Sequence, residues 1–217
     1  DGRITPGCPG LYAPEHEAQW KRLTSFIHAE TEAKICCQIG HSGRKGSTQL
    51  GWEVMDAPLI DGNWPTVSAS SIAWSNKNVA PQEIDSLQMD EVCEQFVMAT
   101  RMAERASFDM IELHAAHGYL ISSFISPLSN VRTDEYGGCL ENRMRYPLKV
   151  FKAMRAVWPD HKPMSVRISA SDWAGDEGVT PEESVLIAQA FADAGVDIID
   201  VSAGQTSTQA KPIYGRM

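Results

Sequence analysis

"FDMIELHAAHGYL", residues 108–120, decides how this chain folds. Residues 108–113 read as a short apolar strand that runs straight into two histidines separated by two alanines, then Gly118 and Tyr119. A buried strand ending in a polar, glycine-containing turn is half of a β–α unit, so the first question is whether the pattern repeats. It does. "AKICCQIG" (33–40) is a nearly continuous apolar run closed by glycine, as expected of a strand buried on both faces. "PMSVRIS" (163–169) and "VDIIDVSAG" (196–204) are two more strands.

Helical segments separate them. "APEHEAQWKRLTSFIHAE" (13–30) has Pro14 in its first turn and Trp20, Leu23, Phe26 and Ile27 on one stripe. "DEVCEQFVMATRMAERA" (90–106) directs Val92, Phe96, Met98 and Ala99 inward, and "YPLKVFKAMRAVW" (146–158) is a third helix. Thr180-Pro181-Glu182-Glu183 is a capped helix start, with a threonine N-cap, proline at the first position and acids in the first turn. Residues 40–88 form a long stretch with little periodicity; a connection of that length is usually functional.

Helix and strand therefore alternate four times, which means a parallel sheet covered by helices. Both an open doubly wound sheet and part of a (β/α)8 barrel satisfy this order. Both place their sites at carboxyl strand ends, where Gln38, His41, His114, His117, Arg167 and Ser202 cluster. No GxGxxG follows any strand, so a dinucleotide-type open sheet has no support. A full barrel takes roughly 250 residues, so a barrel here is an incomplete one.

At 217 residues, 43% hydrophobic and 22% charged, the composition is that of a globular domain. A net charge of −9 argues against nucleic acid or an anionic membrane as partner. The sequence holds no apolar run long enough to span a bilayer. The five cysteines form no CxxC pair; Cys36 and Cys37 are expected to be small core residues, and the usage points to a reducing, cytoplasmic setting.

His114 and His117 admit three readings. They are satisfied structural donors, or metal ligands, or a donor pair for an oxygen gaining negative charge. The metal reading lacks a HExxH helix and a third ligand, since His41 precedes Arg44 and Lys45. In the donor-pair reading two imidazole N–H groups hold a carbonyl oxygen while the phenol of Tyr119 delivers a proton. That suits reduction of a carbon–carbon double bond conjugated to a carbonyl, with hydride from a flavin or nicotinamide.

"QIGHSGRKGS" (38–47), "IELHAAHGYLISSFISPLSNVRTDEYGGCLENRMRYP" (111–147) and "VRISASDW" (166–173) resemble, in order, the signature blocks of the old yellow enzyme family. The resemblance implies an FMN-dependent (β/α)8 TIM barrel using NAD(P)H. By position, His114 and His117 match the pair that grips the substrate oxygen, and Tyr119 the proton donor. Gln38 matches the flavin pyrimidine contact, and Arg167 the arginine against the flavin. Gly137-Gly138 are expected to supply φ > 0 turns, and Asp134, Glu141, Asn142 and Arg143 to hold the loop. Trp52, Trp64 and Trp74 lie in the long loop, most of them as packing residues.

"GRITPGCPGLYAPEH", "HSGRKGSTQLGWEVMDAPLIDGNWP" and "SAGQTSTQAKPIYGRM" are most similar to one branch, the reductase-like C-terminal domain of bifunctional salicylyl-CoA 5-hydroxylase and 2-aminobenzoyl-CoA monooxygenase/reductase. That branch implies an acyl-CoA thioester substrate and a fused or associated FAD monooxygenase domain. Residues 1–217 then correspond to about strands 3 to 6, the central segment of one FMN-binding domain. The remaining strands and the phosphate grip fall before residue 1 and after residue 217. Open sheet edges would favour homo-oligomers. The alternative is a non-catalytic fragment or relic barrel with a binding role.

Overall fold

A computed structural model of the protein describes residues 2–208; Asp1 and the last part of the "SAGQTSTQAKPIYGRM" block, residues 209–217, lie outside the described residues. The elements are α1 Pro14–Glu30, β1 Cys36–Ile39, β2 Val67–Ser68, β3 Gln82–Glu83, α2 Ser86–Arg105, β4 Met110–Ala115, α3 Leu120–Ile125, α4 Leu140–Arg155, β5 Met164–Ser169, α5 Pro181–Asp193 and β6 Ile198–Ser202. Short 3-10 turns occupy Gly43–Lys45 and Gly175–Glu177.

The main sheet has the order β1-β4-β5-β6 and all three pairings are parallel. Its strands are the four expected from the sequence. They neighbour one another in chain order with no reversal, whereas a doubly wound sheet reverses at a switch point. One face alone is apolar. Ile39, Ile111, Leu113, Val166 and Ile168 enter a core with Met89, Val92 and Phe96 of α2, Met144, Val150 and Phe151 of α4, and Ile187 and Phe191 of α5. Because side chains alternate along a strand, the other face carries Gln38, Glu112, His114, Ser165, Arg167, Ser169, Asp200 and Ser202. A parallel sheet with helices on one face, curling around its other face, is a partial barrel.

Local chemistry sets the helix start of α5 as read, whereas α4 spans Leu140–Arg155 rather than 146–158. Thr180 accepts a hydrogen bond from the Glu183 amide ahead of Pro181. α2 starts four residues before the expected Asp90, at a capping box between Asp85 and Gln88. The small parallel pair β2–β3 lies inside the long loop, where two-residue strands leave no readable period.

Several burial expectations fail in one physical pattern. β1 is an edge strand rather than one buried on both faces, and Cys36 is exposed there instead of in the core. On α1, Leu23 and Phe26 are exposed, Phe26 at 64%, and on α2 Met98 is exposed at 53%. At the other edge Val201 of β6 is 67% exposed. Among the described residues, nothing pairs with the outer edges of β1 and β6. Gly138 has φ 80°, but Gly137 is required for space instead: a Cβ there would run into the Arg132 carbonyl. Asp134 and Arg143 do hold the loop, through Arg132 and Tyr136 for the first and Gly138, Ile125 and Glu183 for the second. Asn142 accepts from Arg145 and Glu141 pairs with the same residue along α4, so neither reaches the loop.

Gly43 joins the long loop to the turn after β4. It has φ 57°, and a Cβ would lie 2.7 Å from the Leu120 amide nitrogen, which itself donates to the His41 carbonyl at 3.0 Å. Gly43→Ala is therefore expected to destabilise by about 2–3 kcal/mol, from left-handed strain plus the clash. The urea midpoint measures it, and a loss under about 0.5 kcal/mol would mean that the loop moves aside freely.

Candidate active site

β4 carries the site. His114 is its penultimate residue, paired in register with Arg167 of β5, which in turn pairs with Asp200 of β6. One step deeper, Gln38 pairs with Glu112 and Glu112 with Ser165. In parallel strands, paired residues point to the same side, so two polar rows lie one above the other on the inner face.

Beyond β4 the chain turns sharply. His117 has φ 62°, a left-handed conformation that histidine tolerates better than most residues. Gly118 follows at φ 74°. The His117 amide donates to Ser169 Oγ at 2.9 Å, and its carbonyl accepts from Lys45 Nζ at 3.0 Å. Lys45 also reaches the Gln205 carbonyl at 3.2 Å and lies 4.6 Å from the Trp74 ring centre and 5.1 Å from that of Tyr119. Arg44 donates to the Thr206 and Ile72 carbonyls. These two buried cations shape the loops around the site.

The turn brings three of the expected residues together. His117 Nδ1 lies 3.3 Å from His114 Nε2, and the Tyr119 ring meets the His114 ring edge-on at 4.9 Å. His114 Nδ1 accepts from the Ala116 amide at 3.2 Å, which places its proton on Nε2, toward His117. His117 Nε2 meets Ser202 Oγ at 2.6 Å. Arg167 pairs with Asp200 at 3.3 Å, while its Nε is buried with no hydrogen-bond partner. Gln38 does not join the histidines; it is held one row below by Glu112. The side chains of Gln38, His41, His114 and Tyr119 line a cleft of about 590 Å3 with Leu11 and Phe96.

Electrostatics keep both imidazoles neutral. Burial, then the charges of His117, Arg167 and Lys45, push His114 down to about 3. Burial, then Arg167 and Lys45, push His117 down to about 4, against a smaller opposing pull from Asp200. His41 falls to about 4, mainly by burial. Burial, then Asp56 and Cys8, push Tyr119 up, so its phenol keeps its proton. In this arrangement His114 Nε2 donates to His117 Nδ1, which leaves the His117 proton on Nε2 toward Ser202. A ligand oxygen that replaced this mutual bond would meet two neutral imidazoles and a protonated phenol, groups able to hold an oxygen that gains negative charge and to protonate a neighbouring carbon.

Glu112, Ser169 and Asp200 are site residues the sequence reading missed, and Ser202 was placed at a strand end without a role. Their signal was present: each falls on the inner parity of a strand whose other parity is apolar. Among the described residues, no three of His, Cys, Asp or Glu converge to hold a metal ion.

The inner row is polar where barrel interiors are ordinarily filled by branched apolar side chains. A half-buried guanidinium with a buried, unsatisfied Nε, and a carboxamide one row below on β1, fit the mixed acceptor and N–H edge of a planar heterocycle, and a flavin ring has such an edge. Fold and site thus define a partial barrel of the flavin oxidoreductase type. The chain belongs to the NADH:flavin oxidoreductase / NADH oxidase family, whose description matches residues 1–214, and so to the old yellow enzyme family. It is 40% identical over 217 residues to a NADH:flavin oxidoreductase of Gibberella zeae, covering 94% of this chain and 52% of that one. It is 39% identical over 207 residues to the NADPH dehydrogenase of Clostridium acetobutylicum, covering 94% and 56%. Among solved structures, 2-naphthoyl-CoA reductase in complex with 2-naphthoyl-CoA superposes with a TM-score of 0.80 at 28% identity, over 95% of this chain and 32% of that one. Morphinone reductase shares the fold, with a TM-score of 0.74 at 24% identity, over 89% and 53%. The chain spans about half the length of the curated relatives it matches.

The neutral histidines set an acid limit on stability. Unfolded, they take up protons as pH falls below the ordinary value of 6.5; folded, His41 and His117 do so only near 4 and His114 near 3. The unfolded state binds more protons in that interval, so stability is complete above about pH 6.5 and is lost as pH falls toward 3. Urea midpoints are expected to drop between pH 7 and pH 4.5, and His114→Asn is expected to flatten that slope. An unchanged slope in the variant would mean that His114 titrates normally.

Proposed function

We propose that the whole protein is an FMN-dependent NAD(P)H oxidoreductase that reduces a carbon–carbon double bond conjugated to a carbonyl. The observation that supports this best is the convergence of His114 Nε2 and His117 Nδ1, 3.3 Å apart, beside the Tyr119 phenol. Gln38 and Arg167 would hold the pyrimidine side of FMN, the guanidinium offering its unsatisfied Nε and a fixed positive charge. The chemistry supplied when FMN is bound is hydride carriage from NAD(P)H to the β-carbon. His114 and His117 grip the carbonyl oxygen and stabilise its growing charge. Tyr119 then gives its proton to the α-carbon.

In this reading residues 1–217 are the central segment of one FMN-binding barrel domain, and the open edges of β1 and β6 pair with flanking strands. An aromatic or dearomatised acyl-CoA thioester is the proposed substrate. The resemblance to the bifunctional acyl-CoA branch and the likeness to 2-naphthoyl-CoA reductase support it. A fused or associated FAD monooxygenase domain would supply that substrate.

The test is Tyr119→Phe in the flavin-loaded full-length protein. Turnover of an unsaturated thioester is expected to fall by about 10²–10⁴-fold, the usual worth of a positioned general acid. Flavin content, read from the visible spectrum, is expected to stay the same. Unchanged turnover removes Tyr119 from the reaction, and a protein that takes up no FMN leaves a binding role for the barrel.

A further inference from the structure

Glu112 is a buried carboxylate that the reaction above does not use. It is 8% exposed, at the middle of β4 on the inner face. Among the described residues no cation pairs with it. Its partners are two neutral donors, one from each neighbouring strand at the same height: Gln38 Nε2 gives a hydrogen bond to Oε1 at 2.8 Å, and Ser165 Oγ gives one to Oε2 at 2.7 Å. Burying a carboxylate without a countercharge is costly. Val or Leu at this position would fill a barrel interior more cheaply.

What a carboxylate does here that an apolar residue cannot is choose the orientation of a carboxamide. An ionised carboxylate only accepts hydrogen bonds. Gln38 must therefore turn its NH2 toward Glu112, and the carboxamide oxygen is left on the opposite side. Gln38 stands on the edge strand and lines the cleft. Ser165 holds the second carboxylate oxygen, so Glu112 itself is fixed from the far side.

The geometry points to Glu112 as a positioning residue that locks the Gln38 carboxamide with its oxygen presented to the cleft, ready to accept from an imide-type N–H of a bound heterocycle. This rests on the flavin reading for the identity of that heterocycle, whose pyrimidine ring carries one such N–H. Glu112 acts through Gln38 and touches no reacting atom. Its effect belongs to recognition of the ring.

Glu112→Gln tests this in the full-length protein, because glutamine keeps the shape but both donates and accepts. Either orientation of Gln38 then becomes possible. The probes are FMN and its N3-methyl analogue, which lacks the imide N–H, with affinities from flavin fluorescence. Wild type is expected to prefer FMN by about 10-fold or more, the worth of one well-made hydrogen bond. In Glu112→Gln that preference is expected to shrink to about threefold or less. Ser165→Ala, which frees one side of the carboxylate without removing its charge, is expected to fall between the two. A residue that merely braced the sheet would weaken both flavins equally. An undiminished preference in Glu112→Gln overturns the proposal.

A second readout needs no flavin. In protein labelled with 15N at glutamine side chains, the Gln38 NH2 pair is expected to be shifted and protected from exchange in wild type, and to lose both features in Glu112→Gln. Unchanged Gln38 signals also overturn the proposal. Should wild type bind neither flavin, the flavin reading fails, and these amide signals alone decide whether Glu112 sets the carboxamide.

Discussion

The register of β4 against β1 and β5 is the constraint on which the rest of this structure depends. Parallel pairing puts Gln38, Glu112 and Ser165 in one row and His114 with Arg167 in the row above. Paired residues share a face, so a slip of one residue on β4 would send Glu112 and His114 into the helix-facing core and bring Ile111 and Leu113 inside. The apolar parity prevents that slip. Ile111 and Leu113 are fully buried against α2 and α4, and exposing them would cost about 1.5–3 kcal/mol each. Packing on the outer face thus fixes the chemistry on the inner one.

Above the sheet, the turn after β4 is held by contacts from far along the chain. His117 keeps its left-handed backbone because Ser169 takes its amide and Lys45 its carbonyl. Lys45 and Arg44 come from the loop after β1 and also clamp the chain beyond β6. Burial first, then Arg167 and Lys45, disfavour protonation of the histidines and keep them neutral. Shaping the loop and tuning the rings are one arrangement seen twice.

Several apolar side chains stay open to solvent. Leu23 and Phe26 of α1, Met98 of α2, Cys36 of β1, and Ile198 and Val201 of β6 are apolar or nearly so, yet open to solvent. β1 and β6 are the two edges of the sheet, and a closed barrel has none. The chain spans about half the length of the curated relatives it matches.

Four strands and their place along the chain were legible in the sequence, because apolar runs and glycine-closed strand ends are local properties; the one-sided burial of β1 was not. The histidine pair and Tyr119 were legible too, since six consecutive positions carry all three. What covers each element was not. Leu23, Phe26 and Met98 have the spacing of inward residues, and spacing records which face is apolar, not whether anything packs on it. The partners of Glu112, Lys45, Asp200 and Ser202 were equally hidden, because each meets its neighbour across a strand pairing or a loop closure, 160 residues long between Lys45 and Gln205. Only the tertiary structure decides those meetings. The sequence by itself determined where the strands and the histidine turn would lie; strand register and long-range loop closure determined which side chains would touch.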